Sequence, residues 1–300
     1  MRTILLLLTL HSLAFTPPPR MDKPAYRLYS GKLKSTSYEK LLKQAAEADV
    51  VLFGELHNNP ICHWLQLQLA KDLLRLKGKN LSLGAEMFET DNQPALSDYL
   101  SGKLTDEAFR KVARLWPNYP TDYRPLVELA KQHALPFAAT NVPRRYASMV
   151  AKQGLAALDT LPTSEKQWIA PLPVEVDLTL PGYKAMLSMG HSAHGRTADR
   201  SGPVPEGMAN FARAQAIKDA TMAHRIAQDL QPGATLLHLN GDYHSKKREG
   251  IVWYLNRYRP GLRILTISTL EAADVARPDR SAENLADFIL LVPDDMTKTY

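Results

Sequence analysis

The sequence predicts an α/β protein, a mostly parallel sheet flanked by helices with a smaller α-helical cap domain. Three observations lead there. Short apolar runs, too short for helices, alternate along the chain with longer amphipathic segments, the strand–helix–strand order of parallel sheets with crossover helices. The runs are nearly continuous in apolar residues rather than alternating, as strands buried on both faces are. Two of them end on the same tetrapeptide, Gly-x-x-His: Gly54-Glu55-Leu56-His57 and Gly241-Asp242-Tyr243-His244. With 300 residues, 45% of them hydrophobic, the chain can bury a full core, which excludes a disordered protein.

The elements follow in order. Met1-Arg2-Thr3, the apolar run from Ile4 to Leu10 and the small residues Ser12-Leu13-Ala14 predict a secretory signal peptide over 1–16, and so an exported protein, periplasmic or membrane-associated. That run is too short to span a bilayer, and no cysteine lies near it to take a lipid anchor. Pro17-Pro18-Pro19 opens a linker over 17–37, and the α/β domain is expected over 38–300. Its first helix covers 38–48 and feeds a strand at 49–53. Pro60 starts a helix that Gly78 ends. A strand at 81–86 ends on Glu86. Residues 93–133 read as a helical cap insertion, broken at Trp116-Pro117 and Pro120. A strand at 135–140 then hands over to a helix beginning in Asn141-Val142-Pro143-Arg144-Arg145. A second insertion, 155–207, is irregular and rich in Pro, Gly, Ser and His from 162 onward, the kind of long stretch that is usually functional. A helix at 208–230, a strand at 234–240, a helix at 246–258 and strands at 263–268 and 287–292 complete the chain.

Cys62 is the only cysteine, so no intramolecular disulfide forms and stability must come from the core. The net charge of +6 is spread along the chain, with Lys246-Lys247-Arg248 the densest cluster. Nucleic acid usually demands a longer basic stripe or interleaved aromatics, so it is not an expected partner.

Ligands of open α/β sheets bind at the carboxyl ends of the strands. Four predicted strands bring polar residues to that rim: Glu55 and His57, Glu86, Asn141, and Asp242 with His244. Two imidazoles with carboxylates suit a divalent metal, with His57, Glu86 and His244 as ligands, or acid–base catalysis, for which Glu55 and Glu86 are the candidates. Each member also has a structural alternative: Glu55 can cap the following helix, and Asp242 can brace a loop. On the helix after Met208, Gln215, Asp219 and Met222 share one face. Met189-Gly190-His191-Ser192-Ala193-His194 offers soft and imidazole ligands, and His63 lies in the first turn of the helix after Pro60. Haem would use the same groups differently, taking His or Tyr at the iron and Arg or Lys at the propionates. Tyr123, Tyr146, Tyr183 and Tyr243, with Arg144, Arg145 and Lys246, are candidates. No Cys-x-x-Cys-His occurs, which excludes c-type attachment.

These blocks together resemble the ChaN-like haem-binding uptake family. They are Val51 to Pro60 with His63; Gly84-Ala85-Glu86-Met87-Phe88; Tyr123-Arg124-Pro125-Leu126; Asn141 to Arg145; Ala214-Gln215 with Lys218-Asp219 and Met222-Ala223; and Asn240 to His244. The resemblance implies a haem-binding protein of the bacterial cell envelope serving haem or iron acquisition. Haem b would be held in a homodimer, with an outer-membrane haem receptor as a possible partner. With His191 from the irregular stretch, the candidate cofactor-binding residues that the matching blocks supply are His57, His63, Tyr123, Arg144, Gln215, Asp219, Tyr243 and His244. The family is distantly similar to the Tiki, TraB and erythromycin esterase groups, which share two Gly-x-x-His motifs and an intervening glutamate. That similarity supplies the alternative, a metal-dependent hydrolase using His57, Glu86 and His244. The first reading is preferred, so catalysis is not the main expectation.

Overall fold

The structure, a computed structural model, describes residues 22–189 and 205–300. The predicted signal peptide, His191 and His194 lie outside them. Seven strands form one sheet in the order β1-β7-β6-β2-β5-β3-β4. They are β1 (Arg27–Ser30), β2 (Val50–Glu55), β3 (Leu81–Glu89), β4 (Phe137–Asn141), β5 (Thr235–Gly241), β6 (Ile264–Ala272) and β7 (Phe288–Pro293). All neighbouring pairs are parallel except β1 with β7. The two motif strands, β2 and β5, are therefore direct neighbours near the middle of the sheet, with Glu55 level with Gly241.

Every residue of β2 is buried. Its side chains alternate between faces: Val51 and Phe53 enter one apolar cluster, Val50 and Leu52 another. The first face is covered by α1 (Tyr38–Glu47), α2 (Pro60–Lys77) and the predicted cap at 93–133, which folds as α3 (Gln93–Leu100), α4 (Asp106–Val112), a π-helical turn at Tyr119–Tyr123 and α5 (Arg124–His133). Leu96, Phe109 and Leu126 of these helices are buried in the cluster that also holds Phe53 and Leu83, so the cap shares the sheet's core. The second face carries α6 (Arg144–Gln153), α9 (Glu206–Asp229) and α10 (Ile251–Tyr258); the short α7 (Thr163–Lys166) and α8 (Pro181–Met189) come between α6 and α9 in the chain, and α8 packs on α9. Truncating a fully buried side chain here, such as Leu69 to Ala, should cost about 2–5 kcal/mol.

The helix starts follow local chemistry. Ser37 accepts from the Lys40 amide at the head of α1, and Asn59 accepts from the Ile61 and Cys62 amides ahead of Pro60 in α2. Gly78 ends α2 at φ +56°, where glycine is favoured.

Two expectations need correction. Residues 27–30, assigned to the linker, form β1; only Leu28 and Tyr29 are buried there, and the pairing partner lies at the far end of the chain, so no local pattern marks it. The helix expected from 246 starts at Ile251, because Lys247 (φ +59°), Arg248 (φ +58°) and Gly250 (φ +52°) turn the chain first. Within the second insertion, which the sequence reads as irregular with helix only in patches, the described residues include the helices α7 and α8. Among the described residues no helix is long and apolar enough to cross a membrane.

Candidate functional site

The glycines of the two motifs explain how the strand ends fit together. A Cβ on Gly54 would lie 2.8 Å from Asp242 Oδ1, and a Cβ on Gly241 would lie 2.8 Å from His57 Cε1 and 2.9 Å from its Nε2. Each motif's glycine thus makes room for a side chain of the other motif. The second motif's turn after β5 packs on β2, and the His57 imidazole lies over the backbone of Gly241.

Glu55, at the end of β2, is wholly buried and turns both oxygens to donors. His57 Nδ1 stands 2.9 Å and the Tyr123 hydroxyl 2.7 Å from Oε1, while the Gln66 amide donates to Oε2 at 2.6 Å. Because an ionised carboxylate only accepts, His57 carries its proton on Nδ1 and leaves Nε2 as the free nitrogen. The His57 ring meets the Trp116 edge at 4.9 Å between centroids, and 37% of its side chain is exposed. Burial works against its charged form, but the Glu55 hydrogen bond and the charges of Glu55 and Glu86 prevail and raise its pKa above the usual value.

Behind this pair lies a support layer. His63 Nδ1 is 3.1 Å from Gln66 Oε1, and its Nε2 is 3.1 Å from the His57 carbonyl and 3.4 Å from Asp122 Oδ2. Asn118 donates to the His57 carbonyl at 2.9 Å and to Asp122 at 2.7 Å. Thr299 reaches over from the carboxyl-terminal side, its hydroxyl donating to Asp122 at 2.8 Å and its amide to the Asn58 carbonyl at 3.0 Å.

The second motif continues the network inward. Glu86, on β3, accepts from the Gly241 amide at 2.8 Å and faces His244 Nε2 at 3.3 Å. His244 Nδ1 donates to Asp219 of α9 at 2.6 Å, and Tyr183 of α8 donates to the other Asp219 oxygen at 2.6 Å. All four groups are buried. Burial opposes a charge on His244, yet Glu86 and Asp219 outweigh it and hold the imidazolium up to about 10. Burial would raise Glu86, but His244, His57 and the Gly241 amide bring its pKa well below the usual carboxylate range. Burial dominates at Asp219 and raises it, His244 notwithstanding. His244 and Glu86 therefore form a buried ion pair with Asp219 orienting the ring.

The structure brings Glu55, His57, Glu86, Asp219 and His244 into one network at the carboxyl ends of β2, β3 and β5. His63 and Tyr123 are buried beside the Glu55–His57 pair, His63 on the His57 carbonyl and Tyr123 on Glu55. Asp242 is tied to Ser268 at 2.5 Å and to Lys246 at 3.7 Å, the bracing role open to it. Asn141 ends β4 with its Oδ1 buried and unpartnered. Tyr243 is half-buried; its hydroxyl has no hydrogen-bond partner among the described residues, and the Lys246 ammonium lies 5.5 Å from its ring. Arg144 is exposed and makes no ion pair among the described residues, whereas Arg145 is bound to Asp91 and Glu165. Gln215 is partly buried on α9 outside the network. Sequence reasoning missed Gln66, Asn118, Asp122 and Thr299. Gln66 was findable, being three residues from His63 on one helix face; Thr299 carried no signal.

The metal reading of His57, Glu86 and His244 meets a different arrangement. Both nitrogens of His244 face carboxylates, and among the described residues no group of three or more His, Cys, Asp or Glu is disposed to hold a metal ion.

Comparison with known proteins adds to this. The profile of the family described as haem-binding uptake, Tiki superfamily, ChaN matches residues 41–255. A solved structure described as cofacial haem binding to ChaN of Campylobacter jejuni superposes with a TM-score of 0.63 at 17% identity, covering 89% of this chain and 96% of that one, and so shares the fold. An erythromycin esterase mutant in its open conformation gives a TM-score of 0.46 at 11% identity over 89% of this chain and 83% of that chain, too low to carry an argument. The RETICULATA-RELATED 5 protein, chloroplastic, of Arabidopsis thaliana is 26% identical over 216 residues, which are 68% of this chain. The chain spans only 27% of that relative's length.

Proposed function

The chain belongs to the family of haem-binding uptake proteins of the Tiki superfamily typified by ChaN, and from that premise we propose that it binds haem b non-covalently at the rim formed by the two Gly-x-x-His motifs. The observation that carries the reading is the Glu55–His57 pair. A partly exposed imidazole with its Nδ1 proton held by a buried carboxylate presents a fixed, electron-rich Nε2, the arrangement that metal-ligating histidines share.

The surrounding residues fit the group. Trp116, edge-on to His57, and the half-buried Tyr243 supply aromatic surface. Arg144 and Lys246 are cations suited to propionates. Cys62 is buried, leaving no thiol to make a thioether link. Bound haem would supply an iron centre whose axial chemistry the protein tunes. The protein's part is to orient His57 through Glu55, Tyr123 and Gln66 and to hold Glu86 neutralised by His244 beneath it. Export, a homodimeric assembly and delivery to or from an outer-membrane receptor belong to the same proposal; they rest on the predicted signal peptide and the family resemblance.

Titration of the purified protein with ferric haem, followed by absorption, tests it. A saturable Soret shift is expected. Linear growth of the free-haem spectrum, with no saturable component, would refute it.

A further inference from the structure

The segment 294–300, which follows β7, crosses the carboxyl rim of the sheet from β6 toward β2. The Asp294 amide donates to the Ala272 carbonyl at 3.2 Å, and Lys298 pairs with Glu271, both partners lying at the end of β6. The segment then reaches the loop after β2. The Thr299 amide donates to the Asn58 carbonyl at 3.0 Å, and the Thr299 hydroxyl donates to Asp122, in the π-helical turn of the cap, at 2.8 Å. One residue therefore ties the loop that carries His57 to the cap. Asn58 is the chain neighbour of His57, and Asp122 also accepts from Asn118, which itself donates to the His57 carbonyl. Tyr300 follows at the same rim, where partial burial and then the charges of Glu55 and Asp122 raise its phenol above the usual value.

Two observations say what the tie does. The His57 side chain stays 37% exposed with the segment in place, so the segment holds this histidine without covering it. None of residues 294–300 is buried, Val292 being the last that is, so the segment hangs on polar contacts at the surface. Segments with few buried apolar contacts open at low free energy while the rest of the fold stays closed. Opening strands no buried charge either, because Asp122 keeps the Asn118 amide at 2.7 Å and still faces His63 Nε2 at 3.4 Å.

We propose that, given the haem reading above, segment 294–300 is a detachable brace of the same site, with Thr299 as a positioning residue that sets how long haem stays on His57. While braced, His57 is oriented before the ligand arrives, and little of its freedom remains to be lost on binding. Once the segment peels away, the loop after β2 moves against the cap and the imidazole loses its fixed direction. The site then releases haem without unfolding. Differences of this kind fall mainly on dissociation rather than association.

Three variants of the full-length protein test it: Thr299→Val, which keeps the shape and removes the hydroxyl; Thr299→Pro, which removes the amide donor; and Thr299→Ser, which keeps both donors. Haem release is timed by transfer to an excess of a haem-free globin, and uptake by stopped-flow absorption. The Val and Pro variants should release haem about tenfold faster, with uptake within about twofold of the wild type, and the Ser variant should match the wild type. The haem-free Val variant should melt within about 4 °C of the wild type, since a brace is not part of the core. Exchange of the Asn59 amide, which closes the loop on the Leu56 carbonyl, should be faster in the haem-free Val and Pro variants and unchanged in Ser. Unchanged release from a Val variant that binds haem, release quickened equally in Ser, or a melting temperature lowered beyond that limit would overturn the proposal. A wild type that binds no haem would overturn the haem reading and the residence-time role together, and the Asn59 exchange would still report separately whether Thr299 braces the loop.

Discussion

His244→Ala is the sharpest perturbation of the account. In the wild type the imidazolium sits between Glu86 and Asp219, whose side chains are 5% and 0% exposed. Removing it leaves two buried carboxylates with no cation. Breaking a buried pair from one side costs about 3–5 kcal/mol, a large share of the roughly 5–15 kcal/mol that holds a domain folded. Linkage gives a similar figure. Raising an imidazole from 6.5 to about 10 corresponds to about 5 kcal/mol at 1.36 kcal/mol per pKa unit, with the Glu86 interaction counted once. The sign follows from the direction of the shift. His244 is raised in the folded state, so its contribution is complete below pH 6.5 and is lost as pH climbs toward 10. Urea unfolding at a series of pH values is the assay. The wild type should lose several kcal/mol between pH 6.5 and 10, and the variant should be less stable at pH 7 and much flatter over that interval. A loss under 1 kcal/mol at pH 7, or a wild-type stability that does not fall across the interval, would refute the buried imidazolium.

Three further outcomes are expected. Gly241→Ala places a methyl 2.8 Å from His57 Cε1; the protein should fold, since a side-chain end can move, but haem affinity should fall about tenfold or more in absorption titrations. Glu55→Gln removes the charge that orients His57 Nδ1 and should weaken haem about 10–100-fold with the circular dichroism spectrum unchanged. Tyr123→Phe deletes a hydroxyl that donates to the buried Glu55 and should lower stability by about 1–3 kcal/mol in thermal unfolding.

Much of this arrangement was legible in the sequence because parallel strands and their crossover helices write local patterns. The run before Gly54 and the Pro60 start with the Gly78 stop bound β2 and α2 nearly to the residue. The adjacency of the two motifs was not legible. Nothing local says that β5 inserts between β2 and β3, yet that insertion is what lays His57 over Gly241 and sets Glu86 against His244. For the same reason β1, paired across the length of the chain, escaped notice, and Thr299 could not be connected to Asp122. Spacing placed Asp219 on one face of its helix but could not say that the face was buried against His244. The motif glycines looked like strand punctuation, and only the packed structure gives their reason, which is close approach.

The central claim is that the exposed imidazole braced by Glu55 faces haem iron. The most direct test is the low-temperature electron paramagnetic resonance spectrum of the ferric haem-loaded protein, compared with that of His57→Ala loaded with haem in the same way. The account predicts a change in the iron signal accompanied by an affinity loss of about tenfold or more. An identical iron signal and an unchanged affinity in the folded variant would contradict it.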